Sequence, residues 1–498
     1  MFSGVGLQGV LRLAVLTVLA RLLGPPEFGL AAAATVVIAF FRVITETGIR
    51  AAVIQRPELE DRHVRTAFTL SLMVGLGGAA IVSASAELIA DDGFEMPELA
   101  PVIRAMALLL PLQSLGIVAS GLMQREMNFG WVVRSEILSY VVGYAPVGIG
   151  MGLAGFGVWS LVGAYIAQEA LRTAICLWVQ RHPMRPQLEK RALREFAFFG
   201  SGFALARFGN WGALNGDKWV AGRWLGSEAL GYYKYAFELT QMIGTLFGQV
   251  LDKVLFPAMA RVQGDAERLG NAYRQGVGLI SVLVLPTSAV LCVLAPEIVH
   301  LVLGSEWSPV IGPFRVLAVA LLIRSSYTMS DSLARATGAV YRRAWRQGVY
   351  AIGVVGLAWL GQSEGLLVMT LGVVAGIFMN FLLMAHLSIS LTGLTAFEVA
   401  RSHLGALPSF VVAAGVAWGV ASVARGSSLP DLSVIAVSSG AVGIALVASL
   451  RASPRLLLGG DGLEALELTW SLASRRLSPA TRRRFLRVVG PRFASGGR

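Results

Sequence analysis

Charged side chains interrupt several long apolar stretches of this chain, at positions where a hydrocarbon environment would make them costly. A charge near the centre of a membrane-spanning helix costs about 2.5–3.5 kcal/mol on insertion scales, so such residues usually face a protein interior or a wet cavity. Arg12 and Arg207 lie near the middle of two of these stretches. Because a guanidinium stays charged and makes paired hydrogen bonds to phosphate, the two arginines predict an amphiphilic ligand that carries phosphate.

The predicted site combines cationic and acidic residues from these stretches. The cationic members are predicted to bind the substrate: Arg12, Arg42, Arg207, Lys218, Lys234 and Arg324. The acidic members are predicted to carry a coupling ion: Glu46, Asp217, Glu238 and Asp331. Arg42, Glu46 and Arg50 recur every four residues, so one helix would present them on one face. Two alternatives stay open: the acids neutralise nearby arginines, and Lys234 and Glu238 form an intrahelical pair.

The composition places these residues in a polytopic membrane protein. Hydrophobic residues make up 55% of the 498 residues and charged residues 14%, with a mean hydropathy of +0.66. Soluble domains carry about 25% charged residues. A span needs about 20 mostly apolar residues, and the sequence predicts about fourteen helical spans in an all-α fold. Their approximate bounds are 2–23, 29–54, 66–90, 100–123, 132–153, 157–180, 197–221, 230–256, 275–302, 310–336, 346–361, 365–391, 405–424 and 432–450.

The loops between these spans are strongly asymmetric in charge. With the N-terminus in the cytoplasm, the loops and tail on the inner side hold 27 Lys and Arg, and the outer loops hold 2. Cytoplasmic loops carry the excess of Lys and Arg in membrane proteins. The asymmetry therefore predicts that both termini are cytoplasmic, and it accounts for the net charge of +12 without a nucleic-acid partner.

One short motif occurs twice and indicates an internal repeat. RLLGPPEFGL, from Arg21, and RWLGSEALGY, from Arg223, share Arg, Leu and two Gly at matched places 202 residues apart. Each motif joins two spans at the outer face, and the intervening even number of spans predicts two six-helix lobes related by an axis along the membrane normal. We expect an N-lobe at 1–195, a C-lobe at 196–391, two further spans at 392–452 and a basic amphipathic cytoplasmic tail at 453–498.

Other site chemistries find little support in the sequence. The two cysteines, Cys176 and Cys292, lie in apolar runs, and the five histidines show no metal-binding spacing. We therefore expect no disulfide framework, no metal site and no cofactor. The aromatic residues of WGALNGDKW, from Trp211 to Trp219, are predicted to form an interfacial belt. The alternative is that they line a path through which sugars pass.

Three blocks of sequence resemble a known family. ARLLGPPEFGLAAAATVVIAFFRVITETGIRAAVIQR, GDKWVAGRWLGSEALGYYKYAFEL and VLFPAMARVQGD begin at Ala20, Gly216 and Val254. They are similar to segments of the Wzx-type polysaccharide flippases, which belong to the multidrug/oligosaccharidyl-lipid/polysaccharide exporter superfamily. The resemblance covers roughly residues 1–450. It implies a cationic central cavity, alternating access and cavity roles for the positions Arg12, Arg42, Arg207 and Asp217.

The resemblance also implies the function, location and partners. We expect a non-enzymatic transporter in the bacterial inner membrane that moves a polyprenyl-diphosphate-linked oligosaccharide for export of exopolysaccharide, capsule or O-antigen. H⁺ or Na⁺ is the candidate coupling ion, and membrane lipids and a polysaccharide polymerase or co-polymerase are candidate partners. Two alternatives are a cation or drug antiporter of the same superfamily and a membrane polymerase or ligase of lipid-linked sugars. The excess of cations within the spans disfavours the antiporter, and the short outer loops disfavour the enzyme.

Overall fold

The computed structural model describes residues 2–46, 49–56, 59–427 and 429–474. Within these ranges, the structure leaves undescribed the side chains at 2–8, 10, 44–46, 51, 190–210, 243, 245–258, 340 and 468–474. Across the described ranges the chain forms helices and no strands. The residues divide into two compact units, which are considered separately below.

The first unit comprises Met1–Lys234 with the short segments Val302–Glu306 and Ala358–Met369. Its helices are α1 (Phe2–Leu22), α2 (Pro25–Glu46), α3 (Ile49–Gln55), α4 (Asp61–Ala84), α5 (Ala86–Leu88), α6 (Leu99–Met106), α7 (Leu109–Arg125), α8 (Phe129–Leu138), α9 (Ala145–Leu153), α10 (Val158–Val179) and the first arm of α11 (Lys190–Arg261). Two π-helical turns, Ile89–Gly93 and Ser139–Tyr144, interrupt this series.

Small residues let the helices of the first unit approach closely. A Cβ at Gly75 of α4 would lie 2.1 Å from the Ser114 Oγ of α7. Ser71 Oγ donates a hydrogen bond to the Ser114 carbonyl at 3.1 Å across the same interface. Membrane helices associate by close packing and interhelical hydrogen bonds, because lipid offers no hydrophobic driving force between them. Gly75 and the two serines therefore fix the pairing of α4 with α7.

The predicted second span lies partly outside the described residues. The described part of α2 runs to Glu46 and α3 begins at Ile49, and residues 47–48 between them are not described. The expectation that Arg42, Glu46 and Arg50 form one stripe on a single helix therefore stays a prediction.

The repeated motif forms two corners that pack against each other. The first corner joins α1 to α2, and the second is a kink inside α11 where Gly226 has a φ of 85°. A Cβ at Gly29 would lie 1.7 Å from the Ser227 carbonyl oxygen, and a Cβ at Gly231 would lie 2.3 Å from the Pro25 carbonyl oxygen. The ninth residue of each motif thus meets the fifth residue of the other. Such reciprocity is the mark of a local two-fold relation.

The second unit comprises Tyr235–Leu301, Trp307–Leu357 and Thr370–Arg498. Its helices are the second arm of α11, α12 (Ala266–Val293), α13 (Ala295–Val302), α14 (Ile311–Val319), α15 (Leu321–Ala336), α16 (Val340–Gly361), α17 (Leu366–Thr392), α18 (Ala396–Leu404), α19 (Leu407–Gly426), α20 (Asp431–Ala452) and α21 (Pro454–Ser474). Two 3₁₀ turns span Ser305–Val310 and Gln362–Glu364. The unit boundary after Lys234 differs from the predicted lobe boundary after 195, and the symmetry between lobes stays a prediction.

The α12 helix organises the second unit. It packs against α19 through a row of buried alanines, of which Ala413 and Ala417 contact Ala289 of α12. Alanine every four residues gives one flat helix face, so the two backbones approach closely. The predicted spans 9 and 13 therefore pair tightly.

The first part of the predicted cytoplasmic tail is a packed helix. The α21 helix turns at Gly459, which has a φ of 69° and lies against Gly405. Asp461 Oδ2 accepts a hydrogen bond from Ser402 Oγ at 2.5 Å, and Asp461 Oδ1 lies 3.8 Å from Arg274 Nε. Small residues and one carboxylate thus dock this helix over 454–474, while the basic amphipathic cytoplasmic tail from 453 onward stays a prediction. The rest of that tail, 475–498, lies outside the described residues.

Eight helical segments of the described chain are long and apolar enough to cross a membrane, or nine if a bent pair counts as one span. They are Pro25–Val43, Asp61–Ala84, Leu99–Arg125, Phe129–Leu153, Ala266–Val293, Leu366–Thr392, Ala396–Gly426 and Asp431–Ala452. The bent pair is Ser305–Val319 with Leu321–Ala336. The all-α polytopic fold is therefore confirmed. Helices also occupy the other predicted spans, in α1, α10, α11 and α16, while the count of fourteen stays a prediction.

Candidate functional site

Arg12 lies beside a stack of tyrosines in the first unit. Its guanidinium carbon lies 5.9 Å from the centre of the Tyr140 ring. Tyr140 stacks on Tyr144 at 5.0 Å, and Tyr144 meets Tyr165 edge-on at 5.3 Å. Both stacked tyrosines belong to the second π-helical turn, and such turns are frequent at functional sites. A ring face holds a guanidinium without cancelling its charge, so this arrangement suits Arg12 for binding an anion.

Asp217 is the most deeply buried of the predicted acidic residues whose side chains are described. It is 3% exposed, and its Oδ2 accepts a hydrogen bond from the Tyr233 hydroxyl at 2.5 Å. Tyr233 lies beyond the kink at Gly226, so this bond links the segments on either side of the kink, both within the first unit. Lys234 follows in sequence and is 7% exposed. Sequence reasoning missed Tyr233, because a tyrosine in an apolar run carries no charge to single it out.

The ammonium group of Lys218 bends back onto its own helix. Its Nζ donates to the Leu214 carbonyl at 2.8 Å and lies 3.5 Å from Asn215 Oδ1. The backbone N–H of Lys218 donates to Asp217 Oδ1 at 2.8 Å. The predicted role of Lys218 in binding substrate would require these local bonds to be exchanged for a ligand.

The first unit contains an aromatic cavity of about 610 Å³. Two of its lining residues, Phe40 and Phe41, directly precede Arg42 in the sequence. Aromatic rings from α2, from the residue that follows the first π-helical turn and from α11 dominate its wall: Phe40, Phe41, Phe94, Trp211 and Trp219. Ser85 and Asp92 supply its polar atoms. The tryptophans of WGALNGDKW thus line a cavity. Its volume falls in the range of ligand pockets, and its walls suit apolar chains or the apolar faces of sugar rings.

A polar cluster inside the first unit escaped the sequence reasoning. Arg50, Gln113, Glu169 and Arg172 surround a small space between α3, α7 and α10. Arg172 Nη1 lies 3.7 Å from Glu169 Oε1, and Arg172 Nη2 lies 3.9 Å from Glu136 Oε1. Glu169 and Arg172 are three residues apart within an apolar run, and that spacing was the available signal.

In the second unit, Asp331 is held by two arginines. Arg335 Nε donates to Asp331 Oδ2 at 3.1 Å, and Arg343 Nε bonds to Oδ1. Tyr327 also donates to Asp331 at 3.4 Å. Two guanidinium groups thus already occupy the Asp331 carboxylate. These contacts favour neutralisation of arginine over ion coupling as the role of Asp331.

The other predicted site residues are dispersed. Arg324 lies over the Phe237 ring, with its guanidinium carbon 4.3 Å from the ring centre. Glu238 is exposed, and Arg42 is partly buried on α2. The side chains of Arg207 and Glu46 lie outside the described residues. The structure therefore supports separate clusters within each unit, and a site that joins all ten residues stays a prediction.

Comparison of the sequence with known proteins finds relatives that are named for polysaccharide biosynthesis and transport. The lipopolysaccharide biosynthesis protein WzxC of Escherichia coli (strain K12) is 26% identical over 317 residues, which cover 63% of this chain and 64% of WzxC. The matched segment thus spans slightly less than two thirds of that relative. The succinoglycan biosynthesis transport protein ExoT of Rhizobium meliloti (strain 1021) is 28% identical over 369 residues, which cover 72% of each chain.

Solved structures share the fold. The lipid II flippase MurJ, in an inward closed conformation, superposes with a TM-score of 0.72 at 12% identity, over 90% of this chain and 98% of MurJ. A multidrug resistance MATE family transporter of the MOP superfamily, in an inward-facing conformation, gives a TM-score of 0.63 at 17% identity, over 78% and 96% of the two chains. Residues 18–312 match the family described as polysaccharide biosynthesis protein. This segment is more than half of the chain, and the protein therefore belongs to that family.

Proposed function

We propose that this protein is a transporter that flips a polyprenyl-diphosphate-linked oligosaccharide across the membrane by alternating access. The family match over residues 18–312 of a helical membrane chain carries the proposal. Relatives named for lipopolysaccharide biosynthesis and succinoglycan transport support export of a surface polysaccharide. MurJ, named as a lipid II flippase, shares the fold.

Arg12 supplies the chemistry that such a substrate needs. A diphosphate that enters a membrane protein must exchange its water for other hydrogen-bond donors, and a guanidinium presents such donors in a fixed fork. Arg12 is exposed and borders the tyrosine stack around Tyr140. The rings offer faces on which sugar rings pack, while the guanidinium binds the diphosphate.

Asp217 is our candidate for coupling transport to a gradient of H⁺ or Na⁺. It is buried at the corner and bonded to Tyr233. Buried intramembrane carboxylates commonly mark proton or ion paths. Asp331 is the weaker candidate, since two arginines already hold its carboxylate.

We propose that the protein resides in the bacterial inner membrane with both termini in the cytoplasm. The charge asymmetry of the loops supports this orientation. The substrate would then enter from the cytoplasmic leaflet and leave in the outer one.

The proposal is tested in cells that lack this protein, by measuring lipid-linked oligosaccharide on each face of the inner membrane. We expect accumulation on the cytoplasmic face, which the wild-type gene relieves and an Arg12→Ala gene does not. Arg268→Ala is the matched control, because the Arg268 side chain is 76% exposed at the start of α12. Accumulation of unpolymerised units on the outer face would contradict the proposal and favour a polymerase or ligase.

A further inference from the structure

The first turns of α16 carry arginines that differ in how their charges are balanced. Arg342, Arg343 and Arg346 lie within five residues of one another. Arg343 pairs with Asp331 of α15. The sequences of α16 and α17 contain no Asp or Glu, so neither helix supplies a carboxylate for Arg342 or Arg346. Two positive charges at the same end of this helix pair therefore lack an acidic partner among the described residues.

The Arg346 side chain is covered by its neighbours. It is 4% exposed. Its Nε donates to the Leu383 carbonyl at 3.1 Å, Nη1 bonds to the Arg342 carbonyl, and Nη2 lies 3.2 Å from His386 Nδ1. These contacts use three of the five guanidinium N–H groups and involve only neutral acceptors. A buried cation without a counter-ion is costly, so the site favours an anion.

Arg342 completes one face of the site. It lies one helical turn before Arg346, and its Nη2 donates to Ser390 Oγ of α17 at 2.6 Å. Like charges four residues apart on a helix repel each other, and a bound anion would relieve that repulsion. Arg342 and Ser390 are both accessible at the surface, whereas Arg346 lies beneath them.

Exposed aromatic residues place this site at a membrane boundary. Tyr341 is 91% exposed, and Trp345 is 53% exposed with the Arg346 guanidinium carbon 4.4 Å from its ring centre. Tyrosine and tryptophan concentrate where hydrocarbon meets the headgroups. Further along α16, Val349 and Ile352 are exposed apolar residues that suit contact with lipid chains.

We propose that Arg342, Arg346 and Ser390 bind the phosphate group of an anionic membrane lipid at this end of α16 and α17. Basic pockets between membrane helices bind such headgroups. Arg346 forms the buried floor of the site, Arg342 and Ser390 contact the phosphate from the rim, and the lipid chain follows the apolar face of α16. The site lies within the second unit and is separate from Arg12 and the tyrosine stack of the first.

The test titrates the full-length protein in detergent with three soluble probes: dioctanoyl phosphatidylglycerol, farnesyl diphosphate and inorganic phosphate. We expect both lipid probes to raise the thermal unfolding midpoint more than inorganic phosphate does. The tighter of the two identifies the source, a phospholipid for the first and a polyprenyl carrier for the second. Near a lipid surface each arginine contributes about 1 kcal/mol, or about fivefold in affinity. The double variant Arg342→Gln with Arg346→Gln should therefore bind about thirtyfold more weakly.

Two further variants keep the test decisive. Arg342→Gln alone alters an exposed side chain and should weaken binding about fivefold, even if loss of the buried Arg346 prevents folding. Arg401→Gln removes the same charge from an exposed position on α18 and should leave the affinity unchanged. Equal affinity for inorganic phosphate and the lipid probes would overturn the lipid assignment. Unchanged affinity in Arg342→Gln would overturn the site itself. Neither outcome depends on whether the protein flips a lipid-linked sugar.

Discussion

Arg12 shows how a single residue connects the sequence with the proposed transport. Its position in an apolar stretch predicted a role in anion binding, and the structure adds the ring of Tyr140 as its neighbour. Sequence spacing could not reveal this pair, because the two residues lie on separate helices and Tyr140 belongs to a π-helical turn.

Replacement of Arg12 separates charge from geometry. Arg12→Ala should abolish polysaccharide export, while Arg12→Lys should retain part of it, because lysine keeps the charge but loses the planar fork. Cell-surface polysaccharide, normalised to the amount of protein in the membrane, gives the measurement. Full export by Arg12→Ala would remove Arg12 from the site.

The bond between Tyr233 and Asp217 gives a second prediction at this scale. Tyr233→Phe should lower the free energy of unfolding by about 1–3 kcal/mol, because the buried Asp217 carboxyl group loses a hydrogen-bond donor. Tyr232→Phe is the matched control, because Tyr232 donates at 2.7 Å to the exposed Glu228. Its effect should stay within about 0.5 kcal/mol. Thermal or denaturant unfolding of the purified proteins gives the loss of stability in each variant. Equal losses in Tyr233→Phe and Tyr232→Phe would show that the buried hydrogen bond stabilises the protein no more than the exposed one.

At the scale of elements, the two corners explain why the motif is repeated. Glycine at the ninth position of each motif suits a tight start of the returning helix. The structure shows that each glycine also admits a backbone carbonyl of the other corner. A sequence repeat indicates equivalent positions, but it does not show that the equivalent segments touch.

Each corner glycine should resist even a methyl group. Gly29→Ala and Gly231→Ala should each lower the free energy of unfolding by about 1–3 kcal/mol, because the added Cβ would overlap a carbonyl group. Gly150→Ala is the control, since Gly150 of α9 has open space around it. That change should be neutral or stabilising.

The two glycine changes should also be coupled. Because both changes push the same two corners apart, the loss in the double variant should be smaller than the sum of the single losses. Additive effects in the unfolding measurements would mean that the two corners do not share a contact.

Helix boundaries mark the limit of prediction for elements. Apolar length was enough to predict the helical membrane fold, since a span of this kind has few other structures open to it. The kink at Gly226 and the docking of α21 depend on tertiary contacts. Glu169 and Arg172 show the same limit for the site, because their importance depends on Arg50 and Gln113 from other helices.

At the scale of the whole molecule, the C-terminal region combines a structural helix with a basic segment. A chain that ends after Ala452 loses α21, with its buried Leu457 and Leu458 and its Asp461 contacts. We expect that chain to have a lower unfolding midpoint than the full protein. A chain that ends after Ser474 keeps α21 and should match the full protein in stability. Size-exclusion chromatography after heating measures both, and equal stability of the two truncated chains would contradict a structural role for α21.

The central claim is that the protein itself moves a lipid-linked sugar between leaflets. The most direct measurement reconstitutes the purified protein in vesicles that contain a fluorescent polyprenyl-diphosphate oligosaccharide, and follows its quenching by a reagent that reaches only the outer leaflet. The wild-type protein should expose the inner-leaflet pool to the quencher when an H⁺ or Na⁺ gradient is applied, and the Arg12→Ala protein should leave that pool protected. The account would be contradicted if the inner-leaflet pool stayed unquenched in vesicles with the wild-type protein under both gradients. It would also be contradicted if the wild-type protein moved fluorescent phosphatidylcholine as fast as the lipid-linked sugar.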